Sequence, residues 1–150
     1  MEDLKLMLVD DEERFLATTK KILNKKGYAV ETASSGVEAL EKLRTKPVQV
    51  VILDVKMPGM DGNQTLIEIK RQFPMVEVIM LTGHATVESA IDGLKSGASD
   101  YLMKPADIGE VIQKAEEAFA RRQSLESKIR VAQMRKLMGS PREIIETSEQ

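Results

Sequence analysis

Five short apolar runs alternate with segments whose apolar residues recur every three or four positions, and this alternation restricts the fold more than any other feature of the chain. The runs cover residues 4–9, 28–32, 48–53, 76–81 and 99–103. Between them, Phe15, Leu16, Thr19, Ile22 and Leu23 have the spacing of a helix that buries one stripe. So do Val37, Leu40 and Leu43, then Leu66, Ile67, Ile69 and Phe73, then Val87, Ala90, Ile91 and Leu94. Helix starts are marked by Ser35-x-x-Glu38, Asp61-x-x-Gln64 and Asp107-x-x-Glu110, where side chains can satisfy the orphan N–H groups of a first turn. Stops are marked by Gly27, Pro47, Pro74 and Gly97. The first, third and fourth runs are apolar at nearly every position, so neither face of those strands can be left in water. They predict the centre of a parallel sheet covered on both faces by helices.

In such sheets ligands bind beyond the carboxyl ends of the strands. The positions there are Asp10, Asp11 and Glu12; Ala33 and Ser34; Asp54; Thr82, Gly83 and His84; and Lys104 with Pro105. Carboxylates crowded into a partly buried crevice raise one another's pKa, and a hard cation relieves the conflict. The chain has no cysteine and one histidine, so oxygen ligands are the expected set. Mg²⁺, keeping several of its waters, suits so small a set better than a caged Ca²⁺, and no EF-hand loop is present. Mn²⁺ is the alternative occupant. Mg²⁺ accompanies phosphoryl chemistry, which makes Asp54 a candidate nucleophile that accepts a phosphoryl group as an acyl phosphate. Lys104 supplies a second positive charge, and the Thr82 hydroxyl can hydrogen-bond an arriving phosphoryl oxygen. Glu12 and Glu13 fit better as acidic residues at a helix start than as ligands.

Asp10-Asp11, Asp54 within VVILDVKMPGMDG, Thr82 within VIMLTGHA and Lys104 within ASDYLMKP together resemble the receiver domain of two-component response regulators. The resemblance implies a flavodoxin-like (βα)5 doubly wound sheet of strand order 2-1-3-4-5 over residues 4–120. It implies Asp54 as phosphoacceptor from a sensor histidine kinase, and Mg²⁺ held by Asp10, Asp11, Asp54 and the Lys56 backbone carbonyl. It also implies Lys104 against the phosphoryl group, Thr82 and Tyr101 as a switch pair, and a cis Lys104-Pro105 peptide. Lys56 and His84, each two positions past a site residue, would tune the phosphoryl lifetime. Phe15, one turn into the first helix, would lie where the kinase docks. A receiver of this kind is a signalling switch that promotes its own phosphorylation and dephosphorylation.

Other classes fit less well. A haloacid dehalogenase-type phosphatase wants a second acid two residues after its nucleophile, where Lys56 stands. A flavodoxin-like cofactor carrier wants a phosphate-cradling loop where Asp10 to Glu13 would repel phosphate. A receiver-like interaction module acting without phosphorylation would not need the intact acidic set. A net charge of -2 and only 3% aromatic residues give no surface for nucleic acid, so no direct DNA contact is expected. No apolar run reaches the roughly 18 residues of a membrane span and no signal-type leader opens the chain, so the expected location is cytoplasmic.

After Asp107, three-four spacing continues through Ile108, Val111, Ala115, Ala118, Arg122, Leu125, Ile129 and Ala132. Its length exceeds what one covering helix needs. Residues 121–150 are therefore expected as a helical extension with a fraying end after Met138. That helix would form a homodimer or lead toward an output domain or effector, since the LTGHA form resembles receivers attached to AAA+ transcription activators. A stand-alone regulator and a piece of a longer one both fit.

Overall fold

The structure is a computed structural model and describes residues 3–57, 59–83 and 87–138, with side chains in the last segment from Ile91 onward. Pro58, His84 and the polar tail 139–150 lie outside the described residues, as do the side chains of Val87 and Ala90. The elements run β1 Lys5–Val9, α1 Glu13–Lys25, β2 Ala29–Ala33, α2 Gly36–Thr45, β3 Val50–Asp54, α3 Gly62–Gln72, β4 Glu77–Thr82, α4 Val87–Lys95, β5 Asp100–Met103 and α5 Ile108–Met138.

Every strand pairing is parallel, and the order is β2-β1-β3-β4-β5. Val9 is paired with Leu53, Asp54 with Leu81 and Thr82 with Met103, so the carboxyl ends of the inner strands finish nearly level. The β3 strand is buried at every position, β1 at all but Lys5 and β4 at all but the half-buried Glu77, whereas the edge strands β2 and β5 keep partial exposure. That is the signature anticipated from the unbroken apolar runs. Alternate strand residues feed two cores. Met7, Val9, Val51, Leu53, Val78 and Met80 pack under Leu40, Leu43, Leu66 and Ile69 of α2 and α3. Leu6, Leu8, Val50, Ile52, Ile79 and Leu81 pack under Leu16 and Leu23 of α1 and Val111, Ala115 and Ala118 of α5.

Local chemistry sets the helix limits. Asp61 and Gln64 form a complete capping box at the start of α3. At α2, Ser35 accepts the Glu38 N–H, but the Glu38 carboxylate turns back to the Ser34 amide and hydroxyl rather than to Ser35. Gly27 and Gly97, just past α1 and α4, adopt φ of 95° and 108°, conformations that other L residues resist. Below the sheet, the buried Gln49 side chain accepts the Lys5 N–H at 2.7 Å and its backbone joins β1 to β4.

In α2 and α3 the expected stripes are buried at Leu40, Leu43, Leu66 and Ile69 but each loses one member, and in α4 the expected residues with described side chains face outward. Ile67 (51% exposed) and Val37 (53%) face solvent, as do Ile91 (45%) and Leu94 (49%) in α4. In α4 the inward position is Gly93, because the Tyr101 ring occupies the space a side chain there would fill. The α5 helix is continuous through Met138, about 46 Å at 1.5 Å per residue. Only its first half meets the sheet; Val131, Met134 and Leu137 are exposed, Leu137 at 87%.

The division between core and extension is testable by denaturant unfolding. Leu66→Ala, at a fully buried site, should lower stability by about 3 kcal/mol. Leu137→Ala should change it by less than about 0.5 kcal/mol.

Candidate functional site

Asp10 directly follows β1 with a side chain that is almost fully buried, and both of its oxygens have partners. Oδ1 accepts the Glu12 N–H at 2.9 Å, which satisfies one orphan donor at the start of α1 where Glu12 itself provides no side-chain cap. Oδ2 accepts from Lys104 Nζ at 2.8 Å. Asp54 is the last residue of β3, next to β1 in the sheet, and is 6% exposed. Asp11 follows Asp10 and is exposed. Carboxylate oxygens of Asp10, Asp11 and Asp54 all lie within 4.8 Å of one another, a separation that a single small cation can bridge. All three are hard oxygen donors, which suits Mg²⁺ and gives no reason to prefer a softer ion.

Lys104 comes from the loop after β5, three strand positions away from β1. Its ammonium lies 2.8 Å from Asp10, 3.5 Å from Glu12 and 3.7 Å from Asp54. The ammonium also stands 5.0 Å from the centroid of the Phe15 ring. Lys104 and Pro105 are joined by a cis peptide, as the resemblance implied, and the Lys104 amide donates to the Thr82 carbonyl at 2.8 Å. Thr82 ends β4 at 4% exposure, one position beyond the residue paired with Asp54.

The electrostatics follow from this crowding. Burial first, then the neighbouring Asp10 charge, push Asp54 from the ordinary 3.8 up to about 6; Lys104 and a hydrogen bond from the Lys56 backbone N–H pull against that rise. Burial alone would lower Lys104, but its hydrogen bond to Asp10 and the charges of Asp10, Asp54 and Glu12 outweigh it and hold the amine above its ordinary value. Tyr101 is half-buried against Gly93, and burial and the Asp92 charge raise its phenol.

Thus Asp10, Asp11, Asp54 and Lys104 converge at one point, Thr82 borders it, and Tyr101 lies on β5 facing α4. Lys56 places its backbone N–H on Asp54 while the residue itself is exposed. Two features escape the sequence reading. Glu12, anticipated only as a helix-start charge, directs its carboxylate toward Lys104. Gly62 has no unusual φ; instead, a Cβ there would fall 2.5 Å from Val55 Cα and would strike the Asp54 carbonyl, so the residue is required for close backbone approach. Gly59, earlier in the same loop, has a φ of 77°, a conformation that glycine adopts without strain.

Comparison with known proteins agrees with this geometry. The sequence profile described as "Response regulator receiver domain" matches residues 6–116. The chain belongs to the response regulator receiver family. Among curated receiver-bearing relatives, the transcriptional regulatory protein ZraR of Klebsiella oxytoca is 38% identical over 128 residues, covering 85% of this chain and 29% of that protein. The DNA-binding transcriptional regulator NtrC of Klebsiella pneumoniae is 37% identical over 113 residues, covering 75% of this chain and 24% of its own. The chain therefore spans less than a third of the length of these relatives. A CheY-like receiver from Methanospirillum hungatei superposes with a TM-score of 0.77 at 31% identity, covering 82% of this chain and 98% of that one. The NtrX receiver of Brucella abortus gives 0.70 at 33% identity, covering 75% and 96%. Receiver domains are signalling switches, and among the described residues of this one no helix is long and apolar enough to cross a membrane.

The raised Asp54 has a stability consequence. Its folded value lies above 3.8, so the native carboxyl holds its proton more tightly than the unfolded one. That stabilisation is complete below pH 3.8 and is lost as pH rises through about 6. Without divalent cation, Asp54→Asn should therefore raise stability at pH 7.5 by on the order of 2 kcal/mol. The gain should shrink between pH 6 and pH 4 in thermal melts, and an equal gain at both ends would contradict the burial argument.

Proposed function

We propose that Asp54 accepts a phosphoryl group from a histidine kinase phosphohistidine and that the resulting change re-shapes a protein-interaction face. The observation that supports this best is the meeting of Asp10, Asp11 and Asp54 within 4.8 Å, with the Lys104 ammonium beside Asp10 and Asp54. The Asp10, Asp11 and Asp54 carboxylates and the Lys56 backbone carbonyl would hold Mg²⁺, which when bound neutralises phosphoryl oxygens and relieves the repulsion among the carboxylates. Mn²⁺ fits the same oxygen set. In phosphoryl transfer the Asp54 carboxylate is the nucleophile: an oxygen forms the new P–O bond as the bond to the donor nitrogen breaks, and that nitrogen leaves with the electron pair. Lys104, already charged and aimed at Asp54, contacts the transferred group. Thr82, buried beside Asp54, offers its hydroxyl to a phosphoryl oxygen, and Tyr101 turns inward with it. The side chain of Lys56 flanks the path of the hydrolytic water, and His84 is assigned the same part by its place two residues after Thr82. By these groups the domain promotes its own phosphorylation and dephosphorylation.

The same proposal divides the chain into a receiver over residues 4–120 and an extension from 121 to 150 whose described part, to Met138, is helical. The names of ZraR and NtrC describe transcriptional regulators, and an attached or separate output module acting in transcription is the corresponding proposal here. The exposed α5 residues Leu125, Ile129 and Val131 are suited to a homodimer or to that module.

Asp54→Asn should abolish Mg²⁺-dependent labelling by a small phosphodonor such as phosphoramidate. Undiminished labelling of that variant would remove the assignment. If the extension takes part in the switch, light scattering should detect a change of oligomeric state on addition of beryllofluoride with Mg²⁺, and truncation after Ala120 should eliminate the change.

A further inference from the structure

We propose that Phe15 is a positioning residue for Lys104, its ring holding the ammonium where a phosphoryl group on Asp54 meets it. The proposal rests on the phosphoryl-accepting reading above, and it gives Phe15 a part in the domain's own chemistry, distinct from the kinase contact expected at that position. The reasoning begins at the end of β1. Asp10 Oδ1 fixes the Glu12 amide, so α1 starts at Glu13 in a set orientation and carries Phe15 within its first turn, partly buried against the core beneath α1 and α5. The face of that ring is 5.0 Å from Lys104 Nζ, inside the roughly 6 Å range in which an aromatic quadrupole attracts an ammonium.

Lysine has a flexible stem, so its head stays in place only through what it touches. Two of the three carboxylates near Lys104, those of Asp10 and Asp54, belong to the group that can hold a cation, and their oxygens serve two demands. The third, Glu12, has a side chain 67% exposed and is screened by water. The partly buried Phe15 ring is a support that holds no oxygen a bound cation would draw on. An aliphatic side chain of similar bulk fills the same space without the attraction.

A double-mutant cycle separates this role from packing and from kinase docking. Beryllofluoride affinity at saturating Mg²⁺ is measured by calorimetry on the full chain. The variants are Phe15→Leu, Phe15→Trp, Lys104→Ala, Asp54→Asn and the combination of Phe15→Leu with Lys104→Ala. Phe15→Leu should weaken binding roughly two- to tenfold, and Phe15→Trp should keep it within about twofold of the parent. In the Lys104→Ala background, Phe15→Leu should have no further effect. Equal loss in both backgrounds would assign the ring to packing and overturn the proposal. No loss in either background, with phosphotransfer from a kinase alone impaired, would make Phe15 a docking residue and overturn it as well. Failure of the underlying reading is distinct: Asp54→Asn would then bind beryllofluoride as tightly as the parent chain, whatever the Phe15 variants do.

Discussion

The contact between the Lys104 ammonium and the Asp10 carboxylate is the interaction on which the site depends, and it requires the whole sheet to be in place. Lys104 follows β5 and Asp10 follows β1, 94 residues apart in sequence and three strand positions apart in the sheet. Each intervening strand adds about 4.8 Å, so the pair forms only when β3 and β4 lie between them in level register. Three carboxylates then face one ammonium. Lys104 reduces the repulsion without cancelling it, which is why Asp54 remains well above the ordinary carboxylate value. The folded chain thus carries a local electrostatic cost that a bound cation would relieve.

The two cores supply what the site consumes. Along each inner strand the residues alternate between the cluster under α2 and α3 and the cluster under α1 and α5, and the alternation ends in polar residues at the carboxyl edge. Val50 and Ile52 point to one side, and Asp54, two residues on, takes the same direction at the point where helix cover gives out. Hence Asp54 can be 6% exposed and still reachable from the crevice. Gly62 belongs to the same economy of space, because the backbone of α3 starts directly against Asp54 and Val55.

How much of this was legible in the sequence depends on the range of the interaction. The runs that became β1, β3 and β4 carry their burial in unbroken apolar composition, and the α3 cap is written in Asp61 and Gln64 three residues apart. The family resemblance then supplied the strand order, the cis Lys104-Pro105 peptide and the convergence of Asp10, Asp54 and Lys104. What stayed hidden was set by neighbours distant in sequence. Ile91 and Leu94 have core spacing, yet Gly93 faces inward because the Tyr101 ring from β5 fills the space beneath α4. Likewise Phe15 and Glu12 owe their surroundings to a lysine about ninety residues on, and no local pattern encodes that meeting.

The short strand β5 connects these parts. Asp100 at its start pairs with Lys114 of α5 at 2.9 Å, Tyr101 packs on Gly93 of α4, and the chain leaving Met103 delivers Lys104 to Asp10 and Asp54. Lys104 is therefore only a few covalently linked residues from the packing of α4 and the anchoring of α5. The two helices differ in how firmly they are held. The α5 helix is fixed to the sheet by Val111, Ala115 and Ala118 and by Arg122 donating to the Val48 carbonyl, while Glu126, one turn further along α5 itself, holds that guanidinium. By contrast, α4 spans nine residues, and among its described side chains Ile91 and Leu94 are exposed and the inward residue is a glycine, costing about 1 kcal/mol of helix propensity relative to alanine. Among the described side chains, β5 is therefore less firmly packed toward α4 than toward α5, and α5 carries its exposed apolar residues, Val131 to Met138, away from the sheet.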